Sequence, residues 1–377
     1  MSQLSIRCLE STADFLAIRE QWNDLLNRSQ CNTIFMSWEW QYTWWQNLAE
    51  KRSLAIFVIH DGDQLIALAP MAMRPPDFAR LVPFKALEIL GAGNVGSDYL
   101  SIIVREGFEN QALSMLGSRL MSNNSVIEFS NTERSSGIMT MAALKMQKNG
   151  CQTFRHTQSF SPYIDLSSHT WSSYIAPKAA RFNKKYRRLK KEFDVRLVQT
   201  ESEEKRGEDL DILIGLHLKR WDGRGGSNAF DSENLRKFHH AFTALALEKK
   251  WLRLFTLWLD DRPAASVYGF FYQNTYYYYQ AGFDPSYSQF SVGYLAVGLI
   301  IQQAFEEGAT EFDMLRGEEE YKYTWANNER EIVRLSIFPP SLKGYLCART
   351  MEVRKSIKYI VNRRANSGSS ARHQAAS

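Results

Sequence analysis

The segment from Tyr276 to Trp325 constrains the fold more than any other part of the chain. The four consecutive tyrosines Tyr276–Tyr279 predict a strand, because aromatic residues favour the extended, pleated backbone. The apolar run Tyr294–Phe305 has the length of a helix, and the stretch Glu311–Leu315 predicts a second, buried strand. Small residues at Ser291–Gly293 form the turn before the helix. The result is a strand–turn–helix–strand unit, whose helix N-terminus would attract phosphate.

Short motifs in this segment resemble the C-terminal signature of a family in the GNAT acyltransferase superfamily. The motifs are Ala281-Gly282-Phe283-Asp284-Pro285, Ser291-Val292-Gly293, Phe312-Asp313 and Gly317 followed by Tyr321-Lys322 and Trp325. The family is the one named for cellulose and exopolysaccharide biosynthesis, and it is related to the Fem-type aminoacyl transferases. The resemblance extends from about Trp22 to Trp325, with Val292 where the family often has proline. It implies an α/β fold of two tandem GNAT-like lobes, with mixed central sheets flanked by helices.

The order of predicted helices and strands fits this duplication. Each half of the chain contains a helix followed by two strands that an Asp-rich turn connects, as expected for two similar lobes. We predict an N-terminal lobe at 1–165, a basic linker helix and strand at 166–200, and a C-terminal catalytic lobe at 201–345. A basic helix at 346–364 and a disordered tail at 365–377 complete the predicted organisation.

Composition alone excludes few classes of function. The chain has 377 residues, enough for two domains, and a formal net charge of +5, which does not by itself indicate nucleic-acid binding. The four cysteines are far apart and favour reduced thiols, while the seven histidines show no metal-ligand spacing. The N-terminus lacks a signal-peptide pattern, and no apolar run approaches the about 20 residues that span a bilayer. We therefore expect a cytoplasmic protein without a metal.

The stretch Lys178–Lys191 is the most basic part of the chain. Eight of its fourteen residues are Lys or Arg, and Phe182, Tyr186 and Leu189 are interleaved with them. On a helix the apolar residues would share one side and the cations would cover the rest. Such a face would suit an anionic partner: a CoA phosphate, a tRNA backbone, an acidic glycan or a phospholipid headgroup. The alternative is a solvated helix between the lobes.

Acyl transfer from a thioester requires that the protein hold the donor, polarise its carbonyl and remove a proton from the acceptor. The resemblance implies acetyl-CoA as donor, although the usual glycine-rich pyrophosphate motif is incomplete here. The residues predicted to bind the donor are Ser291, Val292, Gly293 and Tyr294. Lys322 is the candidate for stabilising the tetrahedral intermediate, Asp313 for the base or an orienting group, and Tyr321 for a hydroxyl near the acceptor. Alternatively, Lys322 pairs with an acidic neighbour and Asp313 is a structural anchor.

Further residues are candidates for binding the acceptor. They are Asp98, Tyr99, His217, Arg220, Trp221 and Tyr278. Asp98 follows the glycine-rich turn Gly91–Gly96, where a carboxylate would orient an acceptor hydroxyl or amine, or simply cap the turn. His217 and Trp221 are four residues apart and share one helix face, although a helical histidine can equally be structural.

These features predict an acyltransferase that moves an acetyl group from acetyl-CoA to an amine or hydroxyl. By resemblance, the acceptor would be a sugar or nucleotide-sugar in cell-surface polysaccharide biosynthesis. Two alternatives stay open, because a fold does not determine a function. One is a Fem-like transferase that uses aminoacyl-tRNA, and it is the only alternative in which a nucleic acid would be a partner. The other is a non-catalytic protein that binds glycan or acts as a scaffold.

Overall fold

The computed structural model describes residues 4–76, 84–122, 124–222 and 228–350. Residues 342–350 are helical, and the remainder of the predicted C-terminal helix lies outside the described residues, as does the whole predicted tail at 365–377.

The strands run in length from two to fourteen residues. Those in the described part of the chain are β1 Leu4–Leu9, β2 Ser53–Asp61, β3 Gln64–Arg74, β4 Ala86–Ile89, β5 Ile103–Val104, β6 Val126–Glu133, β7 Gln152–Asp165, β8 Val195–Gln199, β9 Leu252–Leu259, β10 Arg262–Tyr272, β11 Thr275–Phe283, β12 Glu311–Asp313 and β13 Asn328–Phe338.

The α-helices of the described residues lie between these strands. They are α1 Thr12–Ala17, α2 Arg19–Asn27, α3 Trp38–Leu48, α4 Glu109–Ser122, α5 Gly137–Lys148, α6 Trp171–Ile175, α7 Ala179–Glu192, α8 Glu203–Trp221, α9 Glu233–Glu248, α10 Val292–Glu306 and α11 Glu320–Tyr323. Short 3₁₀ helices occur at Ile34–Met36, Ala176–Lys178 and Pro285–Phe290.

All of these strands belong to one mixed sheet. Its order is β1-β2-β3-β4-β6-β13-β7-β12-β11-β10-β9-β8, and β5 pairs with β3. The β4–β6 and β11–β12 pairs are parallel, whereas the other pairs are antiparallel. The sheet continues from one half of the chain to the other through β7, which pairs with both β12 and β13. This architecture confirms the predicted α/β class with helices flanking a mixed sheet; the lobe boundaries at 165, 200 and 345 stay predictions.

The tyrosine run in β11 separates two hydrophobic cores. Because side chains alternate along a strand, Tyr277 and Tyr279 face one side of the sheet and Tyr276 and Tyr278 face the other. The first pair packs in the core that contains α3 and α9, and the second pair packs in the core that contains α7 and α10. All four rings are buried. The central position of β11 therefore explains why the predicted strand is aromatic on both faces.

Candidate functional site

Two neighbouring parallel strands separate at the centre of the sheet. Strand β12 pairs with β11 from Thr275 to Tyr277 and ends at Asp313, whereas β11 continues to Phe283. The register of β11 against β10 also shifts between Tyr268 and Gly269, a bulge that bends the strand. A cavity of about 150 Å³ opens between the diverging strand ends. We call it the strand-end cavity.

The strand-end cavity brings together six residues that the sequence singled out. These are His217, Arg220, Trp221, Tyr278, Tyr321 and Lys322. They come from α8, β11 and α11, which are far apart in the chain but converge where β11 and β12 diverge.

His217 is held in place by the close approach of α8 to β11. A Cβ atom on Gly282 would lie 2.3 Å from the backbone nitrogen of His217, so only glycine allows this contact. The Nδ1 atom of His217 lies 3.0 Å from the carbonyl oxygen of Ala281. Burial lowers the pKa of His217, so the ring is neutral near neutral pH and Nδ1 donates its proton to that carbonyl.

Arg220 is surrounded by aromatic rings. Its guanidinium lies 5.1 Å from the ring centre of Tyr321, 5.4 Å from that of Phe283 and 5.6 Å from that of Trp221. Cation–π contacts of this kind fix a cation without neutralising it. Burial raises the pKa of Tyr278 well above its usual value, so its hydroxyl enters the site as a neutral donor.

Lys322 uses all three of its ammonium protons within the protein. The Nζ atom donates to the carbonyl oxygens of Leu315, at 3.1 Å, and Arg316, at 2.8 Å, and it lies 3.1 Å from a carboxylate oxygen of Glu319. Glycine at position 317 makes room, because a Cβ atom there would lie 2.8 Å from Nζ. The Glu319 side chain is 43% exposed, so this contact is the one that a ligand can replace.

Asp313 and Tyr99 lie outside the strand-end cavity and line a different one. The Asp313 carboxylate accepts a hydrogen bond of 2.7 Å from the backbone N–H of Leu315, whose φ is +56°. Asp313 and Lys322 therefore hold the same turn, one at the N–H and the other at the carbonyl of Leu315. The structure does not bring these two predicted catalytic groups into one cavity.

Asp98 connects the glycine-rich turn to the edge of the strand-end cavity. Its carboxylate accepts the backbone N–H of Arg316 at 2.9 Å and lies 3.4 Å from Nε of the same residue. Burial raises the pKa of Asp98, while the Arg316 guanidinium opposes that rise. The Tyr279 hydroxyl donates to the carbonyl of Val95, which fixes the turn on β11. Asp98 thus positions Arg316, which lines the cavity.

The predicted donor residues form the start of α10. Ser291 is in the left-handed conformation, and no side chain caps the first turn of the helix. The Ser291 hydroxyl instead accepts a 2.7 Å hydrogen bond from Nζ of Lys185 in α7. Since the first N–H groups of a helix lack partners within the helix, this terminus can bind an anion.

Helix α7 places its cations beside this terminus. Its apolar residues Phe182 and Leu189 are buried, as the sequence pattern predicts for an amphipathic helix. Gly298 of α10 permits the contact, because a Cβ atom there would lie 2.4 Å from the Phe182 ring. Arg181 lies 5.1 Å from the ring centre of Tyr294, and Tyr294 stacks on Trp325 at 4.8 Å.

Sequence reasoning missed several residues of these sites. Arg316 and Glu319 lie within the C-terminal motif, but only the fold of the turn shows that they contact Asp98 and Lys322. Lys185 is one of many cations in α7, and nothing in the sequence distinguishes it from its neighbours. Among the described residues no group of His, Cys, Asp and Glu side chains could hold a metal ion. Nor does any described helix have the length and apolar character to cross a bilayer.

Comparisons with known proteins agree with this architecture. Residues 178–323 match the model of the acetyltransferase (GNAT) domain, which covers less than half of the chain. No curated protein matches the sequence. FemX has a similar structure, with a TM-score of 0.60 and 10% identity over 84% of this chain and 95% of that one.

Two further solved structures are similar. L-PGS from Bacillus licheniformis has a TM-score of 0.50 and 13% identity, over 90% of this chain and 96% of that one. A conserved protein of unknown function from Bacteroides thetaiotaomicron has a TM-score of 0.52 and 12% identity, over 88% and 99%. The chain therefore has the fold of GNAT-type acyltransferases, in the Fem-like arrangement.

Proposed function

We propose that the protein is an acyltransferase that moves an acetyl group from acetyl-CoA to an amine or hydroxyl. The observation that carries this proposal is the uncapped start of α10, where Gly293 packs against the Phe283 ring at the end of β11 and the cations of α7 lie alongside. The match of residues 178–323 to the GNAT acetyltransferase domain supports it.

The donor's pyrophosphate would bind at the first turn of α10. The backbone N–H groups of Val292, Gly293 and Tyr294 would donate to its oxygens, and Lys185 would add a charge at Ser291. The acetyl thioester would then extend into the gap between β11 and β12, where the backbones of the two strands no longer hydrogen-bond to each other.

In the proposed reaction the acceptor nitrogen or oxygen attacks the thioester carbonyl carbon, and the C–S bond then breaks. The acceptor's proton is transferred to the departing CoA thiolate, so that the products are the acetylated acceptor and the CoA thiol. Lys322 would stabilise the oxyanion after exchanging its Glu319 contact, and the hydroxyls of Tyr278 and Tyr321 would orient the acceptor. Asp313 would act as a positioning residue through Leu315.

The acceptor we propose is a sugar or nucleotide-sugar of cell-surface polysaccharide synthesis. The strand-end cavity is lined by the cations Arg220, Arg316 and Lys322 and by one carboxylate, that of Glu319. This excess of cations over carboxylates suits the phosphate groups of a nucleotide-sugar. The pathway itself rests on the sequence resemblance.

Transfer from aminoacyl-tRNA is the second candidate. It is favoured by the exposed cations of α7, which would contact a phosphate backbone, and by the similarity of the fold to that of FemX. In that case binding would weaken steeply with salt, since each neutralised phosphate releases counterions.

Calorimetric titration with acetyl-CoA tests the proposal. We expect micromolar binding by the unaltered protein and roughly tenfold weaker binding by Lys185→Ala, which removes one charge-assisted contact. Lys191→Ala is the matched control, because it removes an exposed cation from the last turn of the same helix and should change the affinity less than about twofold.

Absence of binding at millimolar acetyl-CoA would contradict the acetyl-transfer proposal. Salt-sensitive binding of charged tRNA in the same experiment would then favour the second candidate.

A further inference from the structure

The helix at 342–350 turns its large apolar side chains towards solvent. Leu342 is 77% exposed, Leu346 is 56% exposed and Tyr345 is 44% exposed. Because these positions are three and four residues apart, the three side chains share one side of the helix, which we call the apolar face. Elsewhere in the described part of the chain, exposed large apolar residues occur singly on different helices and strands, at Leu16, Leu144, Val198, Leu218 and Tyr323. A cluster of such residues marks an interaction site, whereas single residues do not.

The opposite side of this helix consists of small residues and packs against the protein. Cys347 and Ala348 are buried, and they belong to the core that contains Phe338 of β13. Gly344 is buried as well, and a Cβ atom there would collide with the carbonyl oxygen of Pro339. A surface helix of a globular protein normally buries its large apolar residues and exposes its polar ones. This helix is instead anchored by its small residues, and its large apolar residues are available to a partner.

Cations flank the apolar face. Lys343 and Arg349 are exposed, and the stretch 342–350 contains no carboxylate side chain. The Nε atom of Arg349 donates a 3.1 Å hydrogen bond to the Tyr345 hydroxyl, and the guanidinium lies 5.1 Å from the centre of the Tyr345 ring. Tyrosine and arginine side chains combine an apolar body with a polar end, which is the character of residues found where a bilayer meets water.

The sequence continues both patterns beyond residue 350, where the described part of this helix ends. Apolar residues recur at helical spacing after Leu346, which predicts that they extend the same apolar stripe; they are Val353, Ile357 and Ile360. Residues 342–364 contain seven Lys and Arg residues and a single acidic residue. The predicted basic helix would therefore be amphipathic, with an apolar stripe beside a strongly cationic side.

The charges distinguish between possible occupants of the apolar face. The predicted tail at 365–377 has no apolar side chain larger than that of alanine, so it cannot cover the face. A second copy of the chain would bring like charges together around the contact, which opposes association. A bilayer that contains anionic lipids would bury the apolar side chains and attract the cations. The charges therefore favour an anionic membrane surface.

We propose that the apolar face docks on a membrane surface that carries anionic phospholipids. Leu342 and Leu346 would enter the boundary between headgroups and acyl chains, and Lys343 and Arg349 would contact the lipid phosphates. This contact holds the protein at the membrane surface. The proposal goes beyond acyl transfer and does not depend on the identity of the donor or the acceptor.

Flotation of the whole chain with lipid vesicles tests this surface. The probes are vesicles of phosphatidylglycerol mixed with phosphatidylcholine, compared with vesicles of phosphatidylcholine alone. We expect the partition coefficient to be at least roughly tenfold higher with the anionic vesicles and to fall as salt is added, because ions screen the attraction between lipids and cations. Leu342→Glu and Leu346→Glu should each lower it by at least roughly tenfold, because a side chain that enters the bilayer becomes charged.

Leu16→Glu is the matched control. Leu16 is 53% exposed, close to the 56% of Leu346, but it lies in α1. Its partition coefficient should stay within about twofold of that of the unaltered protein. Equal loss of binding in this variant would overturn the proposal, as would absence of binding or equal binding to neutral and anionic vesicles.

Two further outcomes would assign the contact to another surface or partner. The cations of α7 are unchanged in all three variants, so binding that persists in Leu342→Glu and Leu346→Glu would point to α7 and overturn the proposal. Sedimentation equilibrium without lipid should show a monomer. A dimer that Leu346→Glu dissociates would assign the apolar face to a second copy of the chain and likewise overturn the proposal.

Discussion

The buried carboxyl group of Asp313 makes the unfolding free energy of the protein decrease as the pH rises. The carboxyl is 1% exposed, and burial, together with the nearby Glu311, raises its pKa from 3.8 to about 7. The folded state therefore holds this proton more tightly than the unfolded state does. The stabilisation is fully present below the unfolded pKa and is lost as the pH rises through the folded pKa. At about 1.4 kcal/mol for each pH unit between these values, the total loss is about 4 kcal/mol.

The substitution Asp313→Asn removes this titration and keeps an oxygen for the Leu315 N–H. We expect the unaltered protein to lose about 3 kcal/mol of unfolding free energy relative to the variant between about pH 5 and about pH 8. Urea unfolding of both proteins across this range measures the difference directly.

Asp284→Asn is the control for this experiment. A hydrogen bond from Lys219 lowers the pKa of Asp284 to about 2, so its titration lies below the range measured. The difference between Asp284→Asn and the unaltered protein should be constant from about pH 5 to about pH 8. If the Asp313→Asn difference is equally constant, or changes in the opposite direction, the reasoning about Asp313 is refuted.

Three further substitutions, two of them with a comparison variant, probe the contacts that build the site. Gly282→Ala should destabilise the protein by at least about 2 kcal/mol in urea unfolding, because the new methyl group meets the α8 backbone. In the comparison variant Gly215→Ala, within α8, the new methyl group meets no atom, so the protein should become more stable by up to about 1 kcal/mol. Tyr279→Phe removes the hydrogen bond to the glycine-rich turn and should cost about 1 kcal/mol in the same assay. Lys322→Met leaves two carbonyls without their donor and should cost about 3 kcal/mol, while Glu319→Gln at a half-exposed position should cost less than about 1 kcal/mol. Equal losses for those two variants would contradict the described Lys322 contacts.

The sequence was most informative where patterns are local. The Asp-Gly turn at Gly62 predicts the hairpin of β2 and β3, and the structure confirms it, with Gly62 at φ +59°. The apolar run before Gly308 predicts α10, which begins at Val292, two residues earlier than the run itself. The interleaved apolar residues of the basic stretch predict the amphipathic α7. Each of these elements is determined by periodicity or turn chemistry within a few residues.

Contacts between distant segments could not be predicted in this way. The pairing of β13 with β6 and β7 joins residues more than a hundred positions apart, and no local pattern specifies it. Asp313 and Lys322 were predicted to act together because they are close in the sequence. Strand alternation instead directs Asp313 to the other face of the sheet, so the two side chains line different cavities. The three-donor arrangement of Lys322 depends on carbonyls of a turn, which have no sequence signature.

Amide hydrogen exchange on adding acetyl-CoA tests the central proposal most directly. We expect slower exchange at the backbone N–H groups of Val292, Gly293 and Tyr294, because these would donate hydrogen bonds to the pyrophosphate of acetyl-CoA. The first turn of α5 provides an internal comparison and should be unchanged, since Ser136 already caps it. Tight binding of acetyl-CoA without slower exchange at the start of α10 would contradict the proposed donor site.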